Sequence, residues 1–361
     1  MYISQKITCF FTALLFSATA LATGGKNPYV TKGRTETHAD NSITLIGAAS
    51  SITFGLKGNQ CTVNVRSTDT YSHHNYVVIE VDGQYYSRNK VTAAGSKLFV
   101  MAPAGGKAHT VTVYKATEAT VGNILFTGVD GDISAPVMKP KKKIEFIGDS
   151  ITCGMGNDNE EIPCGTGEWY DQHNAYYSYA PITARALGAD FLLSSVSGIG
   201  MYRNWNDEHK DEAIMPDVYD NLYLNKDASK KYDYSFMPQV TCIALGTNDF
   251  SDGDGKKARL PFNEEKYVAN YIAFVNNLYA HNPQTQVVLL NSPMVNGPKA
   301  ATFIKCLNRI KDELNKQTTH KPVLIFTFGD VTPHGCGYHP QIEDDKIMAE
   351  QLTPFLKKLL N

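Results

Sequence analysis

No Cys-x-x-Cys pair occurs in the 361 residues, so the tetrahedral zinc patterns built on that spacing are absent. There is no polybasic run, and 34 Lys+Arg against 36 Asp+Glu leave the chain near neutrality. Nothing in that balance suggests a nucleic-acid partner or a membrane surface. No stretch approaches the ~20 apolar residues of a spanning helix. No Gly-x-Ser-x-Gly elbow is present, which argues against an α/β-hydrolase fold. Gly154-Met155-Gly156 has Asn159 where a dinucleotide fingerprint needs glycine. Asp252-Gly253-Asp254-Gly255 has neither the spacing of a calcium loop nor its closing glutamate. Chemistry that needs no metal and no cofactor is what these absences leave.

The first residues carry an address. Lys6 is followed by an apolar run, Cys9 to Leu15, and then by Ala20-Leu21-Ala22, a small-x-small cleavage pattern. Residues 1–22 therefore read as a signal peptide cleaved near Ala22, and the protein as secreted or periplasmic. Of the 7 cysteines, Cys9 leaves with that segment. Export permits disulfides, and Cys153 with Cys164 is the pair expected from proximity in the chain. Cys242, in an apolar strand, and Cys306, on a helix, read as buried thiols.

Two regions follow. Residues 27–135 read as an all-β sandwich or jelly-roll accessory domain. Short β-branched and aromatic runs (Thr44–Ile46, Ser51–Phe54, Cys61–Val65, Tyr76–Val81, Leu98–Val100, Thr110–Tyr114) are separated by Gly58-Asn59, Asp82-Gly83 and Ala104-Gly105-Gly106. The turn-rich, then lysine-rich stretch from Gly128 to Lys143 reads as the joint. Within residues 140–361 the period changes. Apolar runs at Ile144–Ile147, Phe191–Val196, Val240–Leu245, Val287–Leu290 and Val323–Phe328 alternate with helical patterns near 176–187, 264–280, 303–314 and 343–360. That alternation predicts a three-layer, parallel, flavodoxin-like α/β domain. Pro181 is positioned to break or kink the first helix. The long insertion Met201–Pro238 is expected over the active edge.

A parallel sheet gathers the carboxyl ends of its strands at one edge. Four loops there hold reactive residue types: Gly148-Asp149-Ser150-Ile151, Ser197-Gly198, Gly246-Thr247-Asn248-Asp249 and Tyr338-His339-Pro340. Singly, each has a plain explanation, such as Asp149 or Ser150 capping a helix. Together and in this order they resemble the blocks of the SGNH (GDSL-type) hydrolases. The β-rich front region makes the whole mature chain look most like carbohydrate esterase family 2, which removes acetyl groups from plant polysaccharides.

The resemblance implies Ser150 as nucleophile and His339 as general base. It implies an oxyanion hole from the N–H groups of Ser150 and Gly198 and the amide of Asn248. Asp149 would order the turn. Trp205 and Tyr338 are expected to line the pocket, while Trp169, Tyr170 and Tyr202 lie in or beside the same loops. The family's aspartate, two or three residues before the histidine, is missing, and Cys336 and Gly337 stand there. Some family 2 members use a Ser–His dyad with a main-chain carbonyl orienting the imidazole, and that resemblance implies a Ser150–His339 dyad here, with Asp330 as an alternative third member and His334 as the rival base. The substrate expected is an acetylated poly- or oligosaccharide, such as xylan or glucomannan. An SGNH esterase acting on an acetylated sialic acid or a lipid, and a non-catalytic carbohydrate binder, remain the alternatives.

Overall fold

The computed structural model describes residues 27–361 except 70, 72, 106 and 107, so the stretch 1–22, read above as a signal peptide, lies outside the described residues. The front region contains β1 (Val30–Lys32), β2 (Thr35–Thr37), β3 (Ile43–Leu45), β4 (Ser51–Leu56), β5 (Gln60–Thr68) and β6 (Asn75–Val81). It continues with β7 (Gln84–Val91), β8 (Ser96–Met101), β9 (His109–Lys115), β10 (Asn123–Asp130) and β11 (Ile133–Ser134). They form two antiparallel sheets, ordered β1-β4-β9-β6-β7, with β11 on β4, and β2-β3-β10-β5-β8. Ile52, Phe54, Val63, Val65, Ile79, Val113, Ile124 and Phe126 fill the space between them. The sequence reading missed β7, a polar strand, because one of its neighbours is absent: it closes its sheet at an edge. Its hairpin with β6 turns at Asp82-Gly83, both at positive φ, the geometry of a tight two-residue turn. Gly128–Ser134, read above as part of the joint, belongs to β10 and β11.

The second region has β12 (Lys143–Gly148), α1 (Ser150–Cys153), α2 (Tyr179–Ala186), β13 (Asp190–Ser195), α3 (Met215–Val218) and β14 (Val240–Ala244). It ends with α4 (Glu264–His281), β15 (Gln286–Leu290), α5 (Gly297–Leu314), β16 (Leu324–Phe326) and α6 (Ile342–Leu360). All five strands are parallel, in the order β13-β12-β14-β15-β16. This is the flavodoxin-like order, and its ligand crevice lies between the ends of β12 and β14. The expected α/β class and β-rich front region are both observed. Pro181 neither breaks nor kinks α2, because it falls in the first turn, where its missing N–H would have had no helical partner. Helix α5 starts six residues before the apolar pattern, at Gly297, with Pro298 in its first turn.

The insertion after β13 behaves differently from the expectation along most of its length. Only its first residues, around Trp205, reach the active edge. Met215, Val218, Tyr219 and Leu224 instead pack with α4 and α5 on one face of the sheet. A helix would ordinarily cover that face in a crossover between parallel strands.

The β-region is packed hard against this sheet. Strands β4 and β6 are buried along their whole length, although one face of each already meets the sandwich core. The other face of β6 meets Tyr176 through Tyr76 and Val78. Arg34 is fully buried and donates to the carbonyls of Tyr219 (2.9 Å) and Asn221 (2.8 Å) and to the Ser194 hydroxyl. Ser194 in turn donates to the buried Glu145 (2.8 Å). Arg34→Ala would leave those acceptors buried and unpaired, so unfolding in urea is expected to show a loss of about 3 kcal/mol. A loss below ~1 kcal/mol, the size of a surface ion pair, would mean that this network does not hold the regions together.

Candidate active site

Strand β12 stops at Gly148, where an added Cβ would lie 2.1 Å from the Thr152 hydroxyl, so the turn admits only glycine. Asp149 is the N-cap of α1, and its carboxylate accepts the Ile151 N–H at 3.1 Å. The capping explanation therefore holds for Asp149. Burial lifts its carboxyl to about 7, which lowers its negative charge beside the site at neutral pH. Ser150 itself caps nothing. It opens the helix with its hydroxyl 2.8 Å from Nε2 of His339.

The other ring nitrogen of His339, Nδ1, lies 3.0 Å from the Gly337 carbonyl. A carbonyl only accepts, so Nδ1 carries the proton and Nε2 presents its lone pair to the Ser150 hydroxyl. Burial of the ring lowers the His339 pKa below the ordinary imidazole value, with the Gly337 carbonyl pulling the other way. Asp330 is exposed, and among the described residues His339 has no carboxylate bonded to it. His334 is turned to Asp344 at 2.9 Å. Asp345 is spent on the Tyr179 N–H at the start of α2 (2.9 Å) and on Asn157 (3.0 Å).

The histidine turn is closely determined. Gly337 and Tyr338 are both in the left-handed region, with φ of 61° and 63°. That is ordinary for glycine and rare for tyrosine. The Gly335 N–H donates to the His339 carbonyl at 2.7 Å, and the Cys336 N–H to the Gly156 carbonyl at 2.9 Å. A Cβ on Gly156 would stand 2.7 Å from the Cys336 carbonyl oxygen. Cys336 is also disulfide-bonded to Cys164. This corrects the expected Cys153–Cys164 pair. Cys153 is a buried thiol on α1 whose Sγ lies 3.3 Å from the Glu118 carboxylate and 3.2 Å from the Ser195 hydroxyl, whereas Cys164 is exposed on a loop. Cys61, Cys242 and Cys306 are buried thiols as well.

Facing Ser150 across the crevice are Gly198 and Asn248. One amide hydrogen of Asn248 goes to the Ile199 carbonyl at 2.8 Å, which fixes the side chain and leaves its second hydrogen for the cleft. The N–H groups of Ser150 and Gly198 have no acceptor among the described residues. Asp249, the neighbour of Asn248, orders the opposite turn. It is fully buried and accepts the N–H groups of Met201 (2.9 Å), Tyr202 (2.8 Å) and Arg203 (3.3 Å), fixing the chain that follows Gly198. Burial lifts its carboxyl to about 6 against those three donors. Its position next to Asn248 was the available signal.

The cleft over these groups measures about 660 Å³. Its rim carries Tyr338 (87% exposed), Trp205 (47%) and Trp169 (48%), whereas Tyr170 and Tyr202 are buried packing residues. Bare aromatic faces around a cleft suit a flat, partly apolar ligand such as a sugar ring. Among the described residues no group of acidic, histidine or cysteine side chains is arranged to hold a metal ion. No described helix is long and apolar enough to cross a membrane.

Two stretches of the chain match known family models. Residues 31–140 match the family model for the carbohydrate esterase 2 N-terminal region, and residues 146–320 match the GDSL-like Lipase/Acylhydrolase family. An acetylxylan esterase / glucomannan deacetylase of Cellvibrio japonicus (strain Ueda107) is 34% identical over 260 residues, 69% of each chain. A family two carbohydrate esterase from Clostridium thermocellum, solved in complex with cellohexaose, superimposes with a TM-score of 0.79 at 28% identity, covering 91% of this chain and 98% of that one. The family two carbohydrate esterase from Cellvibrio japonicus also gives 0.79, at 25% identity, covering 92% and 96%.

The disulfide closes a loop of 172 residues onto the histidine turn. Cys336→Ser is expected to lower stability by roughly 2–4 kcal/mol, and amide exchange should quicken at Gly335 and Cys336. Unchanged protection at those amides would show that the glycine contacts hold the turn without the bridge.

Proposed function

The chain belongs to carbohydrate esterase family 2, and from that premise we propose that it is an exported O-acetylesterase that removes acetyl groups from plant polysaccharides such as xylan and glucomannan. It is a carboxylic-ester hydrolase with a carbohydrate substrate. The observation that carries the finer reading is the 2.8 Å contact between the Ser150 hydroxyl and the unprotonated nitrogen of a buried histidine, at the mouth of an aromatic-rimmed cleft.

In this reading Ser150 Oγ attacks the acetyl carbonyl as His339 Nε2 takes its proton. The developing oxyanion is met by the N–H groups of Ser150 and Gly198 and by the Asn248 amide, each donor contributing about 2.7–4 kcal/mol. As the tetrahedral intermediate collapses, His339 returns the proton to the departing sugar hydroxyl, leaving acetyl on Ser150. A water molecule then repeats the attack, with His339 again removing a proton, and acetate leaves with Ser150 restored. The imidazolium formed twice in this cycle is stabilised at Nδ1 by the Gly337 carbonyl, a neutral partner in place of a carboxylate. Trp205, Tyr338 and Trp169 would stack on the sugar rings.

Acetate release from acetylated xylan and glucomannan, with acetylated sialosides and long-chain esters alongside, tests the reading. Ser150→Ala should reduce release by about 10⁴-fold or more, and the plant polysaccharides should be the better substrates. Equal rates for wild type and variant would leave a carbohydrate binder. Because His339 must be unprotonated to act and its pKa is lowered, kcat/KM should rise with pH with its inflection below the ordinary histidine value of about 6.5. A carboxylate partner would raise that pKa, so an inflection above ~7 would contradict the carbonyl-oriented histidine.

A further inference from the structure

Outside the groups assigned above, the most unusual cluster in the molecule is a set of buried charges where the β-region meets the site. Strand β9 ends at Lys115, and Glu118 follows three residues later, just beyond the strand; both are fully buried. The Lys115 amine donates to the main-chain carbonyl of Glu118. One carboxylate oxygen of Glu118, Oε2, accepts the Ser197 N–H at 2.6 Å and the Cys153 thiol at 3.3 Å. The other, Oε1, lies 3.6 Å from Nε2 of His173, which is also fully buried. His173 packs edge-on against the cleft residue Trp169 at 5.1 Å, and Arg88, from β7, holds its carbonyl at 3.0 Å.

Burying a carboxylate at an interface is costly, and apolar packing would join two regions at least as well. What distinguishes Glu118 is what it touches. Ser197 is the residue before Gly198, and Cys153 closes the single-turn helix that Ser150 opens. One oxygen therefore ties the oxyanion turn to the nucleophile's helix. Burial alone would raise its pKa, but His173 and the Ser197 N–H outweigh burial and hold it at about 2, so the group is an anion and a full-strength acceptor.

We propose that Glu118 is a positioning residue of the active site: its carboxylate fixes the Ser197–Gly198 turn against α1, so that the N–H groups of Gly198 and Ser150 converge on one point. The β-region then completes the oxyanion hole. This rests on the reading of Ser150 as nucleophile. The ordinary alternative is an interdomain contact that affects stability alone.

Kinetics with 4-nitrophenyl acetate and inhibition by phenylboronic acid, a mimic of the tetrahedral intermediate, separate the two. For Glu118→Ala, kcat should fall about 100-fold with KM within ~3-fold, and boronate affinity should fall in parallel, as when an oxyanion donor is lost. Glu118→Gln keeps an acceptor for the Ser197 N–H and should retain kcat within ~5-fold. Asn248→Ala combined with Glu118→Ala should cost less than the product of the single effects, because both act on the same oxygen. Should Glu118→Ala fail to fold, Glu118→Asp draws the carboxylate back from Ser197 and should lose at least ~10-fold in kcat. A kcat within ~3-fold of wild type for Ala or Asp, measured below the variant's own Tm, overturns the proposal. A Gln variant as slow as Ala also overturns it. Ser150→Ala run in parallel keeps the two readings apart. Wild type no faster than Ser150→Ala sinks the hydrolase mechanism, whereas Glu118→Ala as fast as wild type, with both far above Ser150→Ala, sinks only the role of Glu118.

Discussion

The hydrogen bond from His339 Nδ1 to the Gly337 carbonyl sets the rest of the site. It fixes the tautomer, aims Nε2 at Ser150, and in the proposed mechanism would supply partial negative charge to the imidazolium without a carboxylate. A neutral acceptor stabilises that cation less than an anion would. Geometry must therefore do more, and the turn is built accordingly. Two successive left-handed residues bring the Gly337 carbonyl to Nδ1 of His339, close contacts at Gly156 and Gly335 exclude side chains, and Cys336 is anchored to Cys164. Strain of this kind persists only where surrounding contacts over-determine it.

The same logic extends across the domain boundary. Arg34, Arg88 and Glu118 all reach from the β-region into buried positions of the α/β region, and each ends on main-chain groups. Such contacts specify position more strictly than apolar packing does, since a shifted partner leaves a charge unpaired. The β-region thus bonds main-chain groups beneath the candidate site. Asp249 plays the matching part from within the α/β region, gathering three N–H groups behind Gly198.

How much of this the sequence announced follows from how local each signal is. The five parallel strands and the long helix α4 were legible because their apolar patterns are continuous within each element. Ser150, Gly198, Asn248 and His339 were legible as a set because the topology sends four strand ends to one edge. The disulfide was not: nearness in sequence favoured Cys153 and Cys164, while the bond formed joins residues 172 apart. Glu118 was invisible for the same reason. It sits among ordinary β-region residues, and its role arises only from what the other region places against it. Strand β7 escaped because an edge strand with a wet face has no apolar alternation to detect.

The central claim is that Ser150 is activated by a histidine that needs no carboxylate. Labelling with a fluorophosphonate, located by peptide mass spectrometry, measures that activation directly, because the reagent reacts with a serine whose proton is being withdrawn. A single adduct on Ser150 is expected, formed at nearly the wild-type rate in Asp330→Asn and lost in His339→Ala. An adduct elsewhere, labelling that survives His339→Ala, or a fall of about 10³-fold in Asp330→Asn, as when a triad carboxylate is removed, would contradict it.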